Sequence, residues 1–333
     1  MPLSGLLSID DITVATLPRG CKERLKLLVL SDLGEALVLR ALVAVGRAPG
    51  PALLAVAGVH GDEYEGMAAV REVFAALDPA TMRGSFLAIP VANPLAYAAR
   101  TRSTPAEVDG FNLARVFPGD AGGTVTQRLA HHLLCLVERN VGPDDLFADL
   151  HSGSADIAFA AMAGFRDVSG AGREASEEAA RHFGLARLWR IPDSPGPFNA
   201  ETARRGIPTI GTEITGRAGC DSADVAAYVT GLRNLLAYLR IHYHDHDQAP
   251  ALVRWDGPAR PTLDLFSPAG GFFRTAVQLH DHVERGARLG EIVDLDGDVV
   301  AEVVAPMAGE VWAWRATPAV RPGELIGMIA GRP

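Results

Sequence analysis

Cysteine is scarce in this chain. The 333 residues hold three, Cys21, Cys135 and Cys220, an odd and widely spaced set with no CxxC pair. Neither a disulfide framework nor a cysteine zinc site is indicated. Lysine is scarcer still: of 31 Lys plus Arg only Lys22 and Lys26 are lysines, which leaves 29 arginines. Against 40 Asp plus Glu the formal net charge is −9. That balance argues against an electrostatic nucleic-acid binder, which needs a basic face. It does not exclude a small arginine pocket for anions. No stretch approaches the roughly 18 uncharged apolar residues of a membrane span, so no membrane partner is expected. The start, MPLSGLLSIDD, has no basic region before its short apolar run and does not read as a signal peptide. A reducing, cytoplasmic setting is the expectation. The 48% apolar and 21% charged content is that of a globular protein, and the length allows one large domain or two ordinary ones.

What is present is an alternation of buried strands and amphipathic helices. Residues 1–45 read as short strands. The runs 53–59, 86–92, 146–150 and 206–214 read as strands, the first three apolar enough to be buried on both faces. Between and after them, 65–77, 125–139, 173–183 and 222–240 carry apolar residues at helical spacing, or Ala and Glu ending at Gly184. This order predicts an α/β fold, a mostly parallel or mixed central sheet with flanking helices. In such sheets sites form beyond the carboxyl ends of the strands. Residues just after 59, after 150 and near 213 are therefore expected to meet in space.

After the polar segment HYHDHDQAP at 242–250 the chain turns to short strands, glycines and prolines. The pattern V-x-x-G-x-x-[L/I]-G-x-I occurs at 283–292 and again at 320–329, 37 residues apart. Two similar β-units suggest a small closed all-β domain. The expected division is 1–248, with an N-terminal β extension over about 1–48, and 249–333.

Ten histidines are unevenly placed. His60-Gly61-Asp62-Glu63 follows the strand at 53–59, so one tight loop presents an imidazole and a carboxylate. A second histidine, in Asp149-Leu150-His151-Ser152-Gly153, follows another buried strand. Two His and one Glu are a common catalytic zinc set that leaves a position open for water. Glu213, at the end of the strand in GIPTIGTEITG, falls at the same sheet edge, where a carboxylate could move a proton between water and a leaving amine. The segment from Asn93 to Gly119 also starts at that edge and carries Arg102 and Arg115, groups able to hold a carboxylate or an oxyanion. Each feature alone is a weak signal; three polar groups at three strand ends of one sheet are a stronger one.

Taken together, GVHGDEYEG, the NP…R…DG…NL-x-R-x-FPG stretch, DLHSG and the late E-x-T-G resemble the succinylglutamate desuccinylase/aspartoacylase family, of the zinc carboxypeptidase-like superfamily. The resemblance covers roughly residues 50–330. It implies zinc ligands His60, Glu63 and His151, one Zn2+ per chain. It implies Glu213 as general base and Arg102 as the group that polarises the scissile carbonyl. It implies Arg115 as the binder of a substrate carboxylate and Asn112 as a support for the first zinc histidine. Ala114 departs from the family's N-L-N-R run, where an asparagine shares carboxylate binding with the arginine. The implied activity is zinc-dependent hydrolysis of the amide of a small N-acyl amino acid or related compound, with ester cleavage also open. The small β-domain is expected to cover the active-site edge or to mediate homo-oligomer assembly.

Two other functions compete: a metallocarboxypeptidase acting on a small peptide or peptidoglycan fragment, and a non-catalytic zinc-containing binding protein. The missing signal peptide and Ala114 weigh against the first, and Glu213 with Arg102 against the second. The run His242, His244, His246 with Asp245 and Asp247 reads as a solvated linker rather than a second metal site. His131 and His132 read as packing or surface residues, and His182 as a helix C-terminal charge. The run Ala305-Pro306-Met307-Ala308-Gly309-Glu310-Val311 resembles the surroundings of a biotinyl or lipoyl carrier. Residues 27–333 contain no lysine to modify, so the carrier reading fails.

Overall fold

The structure, a computed structural model, describes residues 5–32, 35–242 and 256–331. Its first part is β1 (Leu6–Ser8), β2 (Cys21–Asp32) and β3 (Glu35–Val45). Short strands were expected here, but β2 and β3 run 12 and 11 residues as one long antiparallel hairpin. The reason lies in the polar residues: Lys22, Arg24 and Lys26 alternate with the buried Leu25 and Leu27, and period-two patterning continues the strand beyond the apolar run.

The central part follows as β4 (Ala48–Ala57), α1 (Glu65–Ala76), β5 (Arg83–Ile89), α2 (Pro94–Ala99), α3 (Val125–Asn140) and β6 (Leu146–Leu150). Then come β7 (Ile157–Phe159), β8 (Met162–Arg166), α4 (Arg173–Phe183), β9 (Leu188–Ile191), α5 (Phe198–Arg204), β10 (Thr209–Glu213) and α6 (Ser222–Tyr238). The sheet order is β1-β2-β3-β5-β4-β6-β10-β8-β9. β5, β4, β6 and β10 are neighbours and parallel, while β8 runs antiparallel to β10. The sheet is therefore mixed. Helices α1, α4 and α6 pack one face through Val70, Phe74, Phe183, Tyr228 and Leu232. Helices α3 and α5 pack the other through Leu129, Leu133, Leu136 and Phe198. With helices on both sides, β5, β6 and the second half of β4 from Leu53 bury nearly every side chain, which is why their sequences read as continuous apolar runs. The short α2, α5, β7, β8 and β9 carry too few residues to show a period.

The C-terminal part is β11 (Ala259–Phe266), β12 (Gly271–Thr275), β13 (His282–Val283), β14 (Arg288–Val293), β15 (Val299–Val304), β16 (Gly309–Arg315), β17 (Ala319–Val320) and β18 (Leu325–Gly331). The internal repeat appears directly in the pairing. β11 to β14 and β15 to β18 are equivalent four-strand units: β11–β18 matches β15–β14, β12–β14 matches β16–β18, and β12–β17 matches β16–β13. Gly286 and Gly323 occupy the same turn in each unit with φ of 82° and 79°.

The expected division at 248 lies outside the described residues. β11 pairs in parallel with β9, and β16 pairs with β7, so the C-terminal strands continue the central sheet. Ile157 and Met162 of the central part share an apolar cluster with Trp312 and Met328. Among the described residues no helix is long and apolar enough to cross a membrane.

Candidate active site

Four parallel strands, β5, β4, β6 and β10, end at one edge of the sheet, and the loops leaving them carry the polar residues singled out above. The loop after β4 holds His60 and Glu63. Gly61 is needed there, because a Cβ at that position would lie 2.1 Å from the Ala96 carbonyl carbon of α2. The loop after β5 is capped by Asn93, whose side chain accepts from Ala96 N at 3.0 Å. α2 ends at Arg100 in the left-handed region, which turns the chain toward Arg102. β6 delivers His151, and β10 ends on Glu213.

The structure brings His60, Glu63 and His151 together: one ligand atom from each lies within 4.8 Å of the others. Glu63 is the centre. Its Oε1 is 2.7 Å from His60 Nδ1 and accepts from Arg102 Nη1 at 2.9 Å and Ser154 Oγ at 2.8 Å. Its Oε2 is 2.9 Å from His151 Nδ1 and accepts from Ser152 N at 3.2 Å. The far nitrogens also face oxygens. His60 Nε2 is 3.1 Å from Asn112 Oδ1 and His151 Nε2 is 3.3 Å from Asp149 Oδ1. Asn112 Oδ1 is fixed as an acceptor because it also takes Ala114 N at 2.9 Å.

Electrostatics sharpens this picture. Burial, with Arg102 and His151 nearby, lowers the His60 pKa to about 4, so its imidazole is neutral. Burial alone would raise Glu63, but His60 and His151 hold it well below the usual carboxylate range. Burial opposes charging His151, yet Asp149 and Glu63 outweigh it and raise that pKa well above the ordinary value. A neutral His60 has one N–H, yet both its nitrogens face acceptors. A cation among His60 Nδ1, Glu63 and His151 Nδ1 would resolve that conflict, because a metal takes a ring nitrogen's lone pair and leaves the other nitrogen to donate. The donor set therefore fits a divalent metal ion.

Glu213 stands beside the triad. Its Oε2 is buried without a hydrogen-bond partner. Burial, then the Glu63 charge, pushes its pKa well above the carboxylate range. Arg102 is 41% exposed at its side chain and reachable from solvent. Arg115 lies in a 3-10 turn, Leu113–Arg115, and donates to the Ala114 carbonyl at 2.9 Å. Its pKa is lowered, by partial withdrawal from water and by Arg102, against Glu213, Asp264 and Glu63. Ala114 is buried and offers only its backbone.

Some residues of this neighbourhood escaped the sequence reading. Ser152 and Ser154 hold Glu63, and serines after a strand carry no distinctive signal. Asp149 was visible two residues before His151, a spacing that puts both on one side of a strand. Asp264 comes from β11, beyond the expected domain boundary, and only folding brings it within range of the Arg115 charge. Of the other histidines, His242 is buried and lies 3.3 Å from Thr81 Oγ1, so it is not solvated as expected. His244, Asp245, His246 and Asp247 lie outside the described residues.

The model of the succinylglutamate desuccinylase/aspartoacylase catalytic domain matches residues 49–239. The chain belongs to this family. It is 28% identical over 305 residues, 87% of this chain and 84% of the relative, to the N-alpha-acetyl-L-2,4-diaminobutyric acid deacetylase of Halomonas elongata. The product-bound ectoine utilization protein EutE (DoeB) of Ruegeria pomeroyi superposes with a TM-score of 0.81 at 25% identity, covering 95% of this chain and 98% of that one. An aspartoacylase family protein of Mesorhizobium loti superposes with a TM-score of 0.74 at 26% identity, covering 97% and 98%. The family comprises deacylases of N-acyl amino acids, and the protein is a hydrolase of amide bonds.

Proposed function

We propose that the protein is a zinc-dependent deacylase that releases an amino acid from its N-acyl form, with an N-acetyl diamino acid as the first candidate substrate. The observation that carries this reading is the triad itself: His60 and His151 turn their Nδ1 atoms to Glu63, while their Nε2 atoms face Asn112 and Asp149. His60, Glu63 and His151 would hold the ion. When bound, it would supply Lewis acidity toward an acyl carbonyl, lower the pKa of water to about 7, and offset the Glu63 charge that, after burial, raises the Glu213 pKa.

The chain's own residues then share the work. Glu213 takes a proton from the attacking water as the water oxygen bonds to the acyl carbon. Arg102 has five N–H donors, of which Nη1 already serves Glu63, and the rest can hold the developing oxyanion. Glu213 returns its proton to the nitrogen as the C–N bond breaks, leaving a carboxylic acid and an amine, and the acid's remaining proton passes to the amine to give a carboxylate and an ammonium group. Arg115 binds the amino acid's carboxylate. Asp264, a charge neighbour of Arg115, adds a position for an ammonium group. That pairing favours an amino acid with a second amine, as in the name of the Halomonas relative.

The test is amine release from a panel of N-acetyl amino acids by the Zn2+-loaded protein, with Nα-acetyl-L-2,4-diaminobutyrate beside N-acetylalanine. Turnover abolished by a chelator and restored by Zn2+ is the expected result. Undiminished turnover in the stripped protein would remove the metal from the mechanism. Asp264→Asn should raise KM for the diamino substrate by about tenfold and leave N-acetylalanine unchanged. An equal effect on both would sink the ammonium assignment.

A further inference from the structure

A chain of buried polar groups runs on from His151. Asp149 Oδ1 is 3.3 Å from His151 Nε2. Asp149 Oδ2 accepts from Asn199 Nδ2 at 2.8 Å. Asn199 Oδ1 accepts from Arg166 Nε at 2.6 Å, and Arg166 Nη1 donates to the Pro192 carbonyl at 2.6 Å and to Ser194 Oγ at 3.2 Å. Asp149, Asn199 and Arg166 are exposed by 0%, 6% and 9%. The three come from different elements: β6, α5 and β8. β10 lies between β6 and β8, and the chain crosses it at Gly211, whose register partners are Asp149 on one side and Gly164 on the other. A Cβ at Gly211 would lie 2.8 Å from Asn199 Nδ2. A strand residue without a side chain is thus what lets Asn199 span from β8 to β6.

We infer that Asn199 and Arg166 are positioning residues for the metal site, fixing Asp149 so that it holds His151 with Nε2–H toward Asp149 and Nδ1 toward Glu63. The reading rests on His151 being a metal ligand. The physical case is one of orientation. A carboxylate at a buried position with one free oxygen could turn about its χ2 angle, and His151 would then follow it or lose its partner. Asn199 occupies one Asp149 oxygen and so directs the other. An amide could itself turn, presenting its oxygen to Asp149, which would be repulsive. Arg166 prevents this, because its Nε–H needs the Asn199 oxygen. The guanidinium is in turn held by Pro192 and Ser194, which leaves Asp149 Oδ1, buried and without another hydrogen-bond partner, to face His151 Nε2. Partners of a metal-bound histidine at this remove tune affinity, typically by 10- to 100-fold.

The experiment is Zn2+ affinity of the full chain by competition with a chromophoric chelator, for wild type, Asn199→Ala, Arg166→Lys and Gly211→Ala. The melting temperature of each metal-free protein is recorded separately. Arg166→Lys keeps the charge and loses the Nε–H. Gly211→Ala removes no polar group and only crowds Asn199. The expected result is a Kd raised by about 10- to 100-fold in Asn199→Ala, and by a smaller factor in the other two. The visible spectrum of the Co2+-loaded variants should shift, since the ligand field follows the orientation of His151. A merely structural role would lower the melting temperature and leave the Kd and the Co2+ spectrum of the folded protein unchanged, and that result overturns the inference. If Asn199→Ala does not fold, the other two variants decide. Wild type that binds no Zn2+ would overturn the metal reading together with this one, whereas tight binding by wild type and variants alike overturns this one alone.

Discussion

At the scale of single residues, the site is a set of conflicts that each group alone could not hold. Glu213 is a carboxylate kept buried with an unpartnered oxygen, beside a second carboxylate that repels its charge. A group raised in this way suits a proton shuttle better than a structural ion pair, which would have the opposite shift. Glu213→Gln keeps the shape and removes the proton transfer. It should retain stoichiometric Zn2+ by elemental analysis and lose turnover by about 10²–10⁴-fold. A variant within tenfold of wild type would show that another group is the base. Legibility differed among these residues. His60, His151 and Glu213 stand at strand ends, so the alternation of strands and helices already directed them to one edge. Asp149 was legible from its place two residues before His151, whereas Asn199 meets it through side-chain geometry across different elements, which no spacing along the chain reveals.

At the scale of elements, the helices were readable because their apolar faces are long and periodic. α3 and α6 start within a residue of the expected positions, and α4 ends at Gly184 in the left-handed region. How tightly they approach was not readable. α6 crosses α4 at Gly231, where a Cβ would lie 2.4 Å from the buried Phe183 ring. Alanine in a helix interior normally gains about 1 kcal/mol over glycine. Here crowding an already packed ring costs about 1–3 kcal/mol and reverses the sign. Gly231→Ala should therefore lower the denaturant midpoint, and a raised midpoint would show that the two helices can move apart without penalty.

At the scale of the whole molecule, the C-terminal strands are joined to the central sheet by more than one device. β11 extends the sheet from β9, an apolar cluster bridges β7, β8, β16 and β18, and Glu310 of β16 is held by two arginines. Glu310 Oε1 accepts from Arg187 Nη2 at 2.7 Å, and its Oε2 accepts from Arg260 Nη1 at 2.7 Å. Burial works against its charge, but the neighbouring Trp312 indole together with these hydrogen-bonded arginines lowers its pKa from 4.5 to about 2. A depressed carboxylate adds stability that is fully present above its unfolded pKa and is lost as pH falls toward the folded value. With allowance for solvent screening, Glu310→Gln should cost about 2 kcal/mol at pH 7. The difference from wild type should shrink as pH drops below about 4.5. A gap independent of pH in chemical unfolding would mean that the pair is not what ties this junction.

The sequence by itself determined the layered α/β plan, the strand ends from which His60, His151 and Glu213 project, and the twofold repeat of the last 80 or so residues. These follow from periodicity and order, which are local properties. Tertiary structure alone decided which oxygen each histidine nitrogen faces, that Asp264 of β11 comes near enough to Arg115 for each to feel the other's charge, and that the C-terminal strands extend the main sheet. Apart from the local pairs His60–Glu63 and Asp149–His151, those outcomes depend on distances between residues more than 50 positions apart in the chain. They depend also on which buried polar groups are left to satisfy one another once water is excluded.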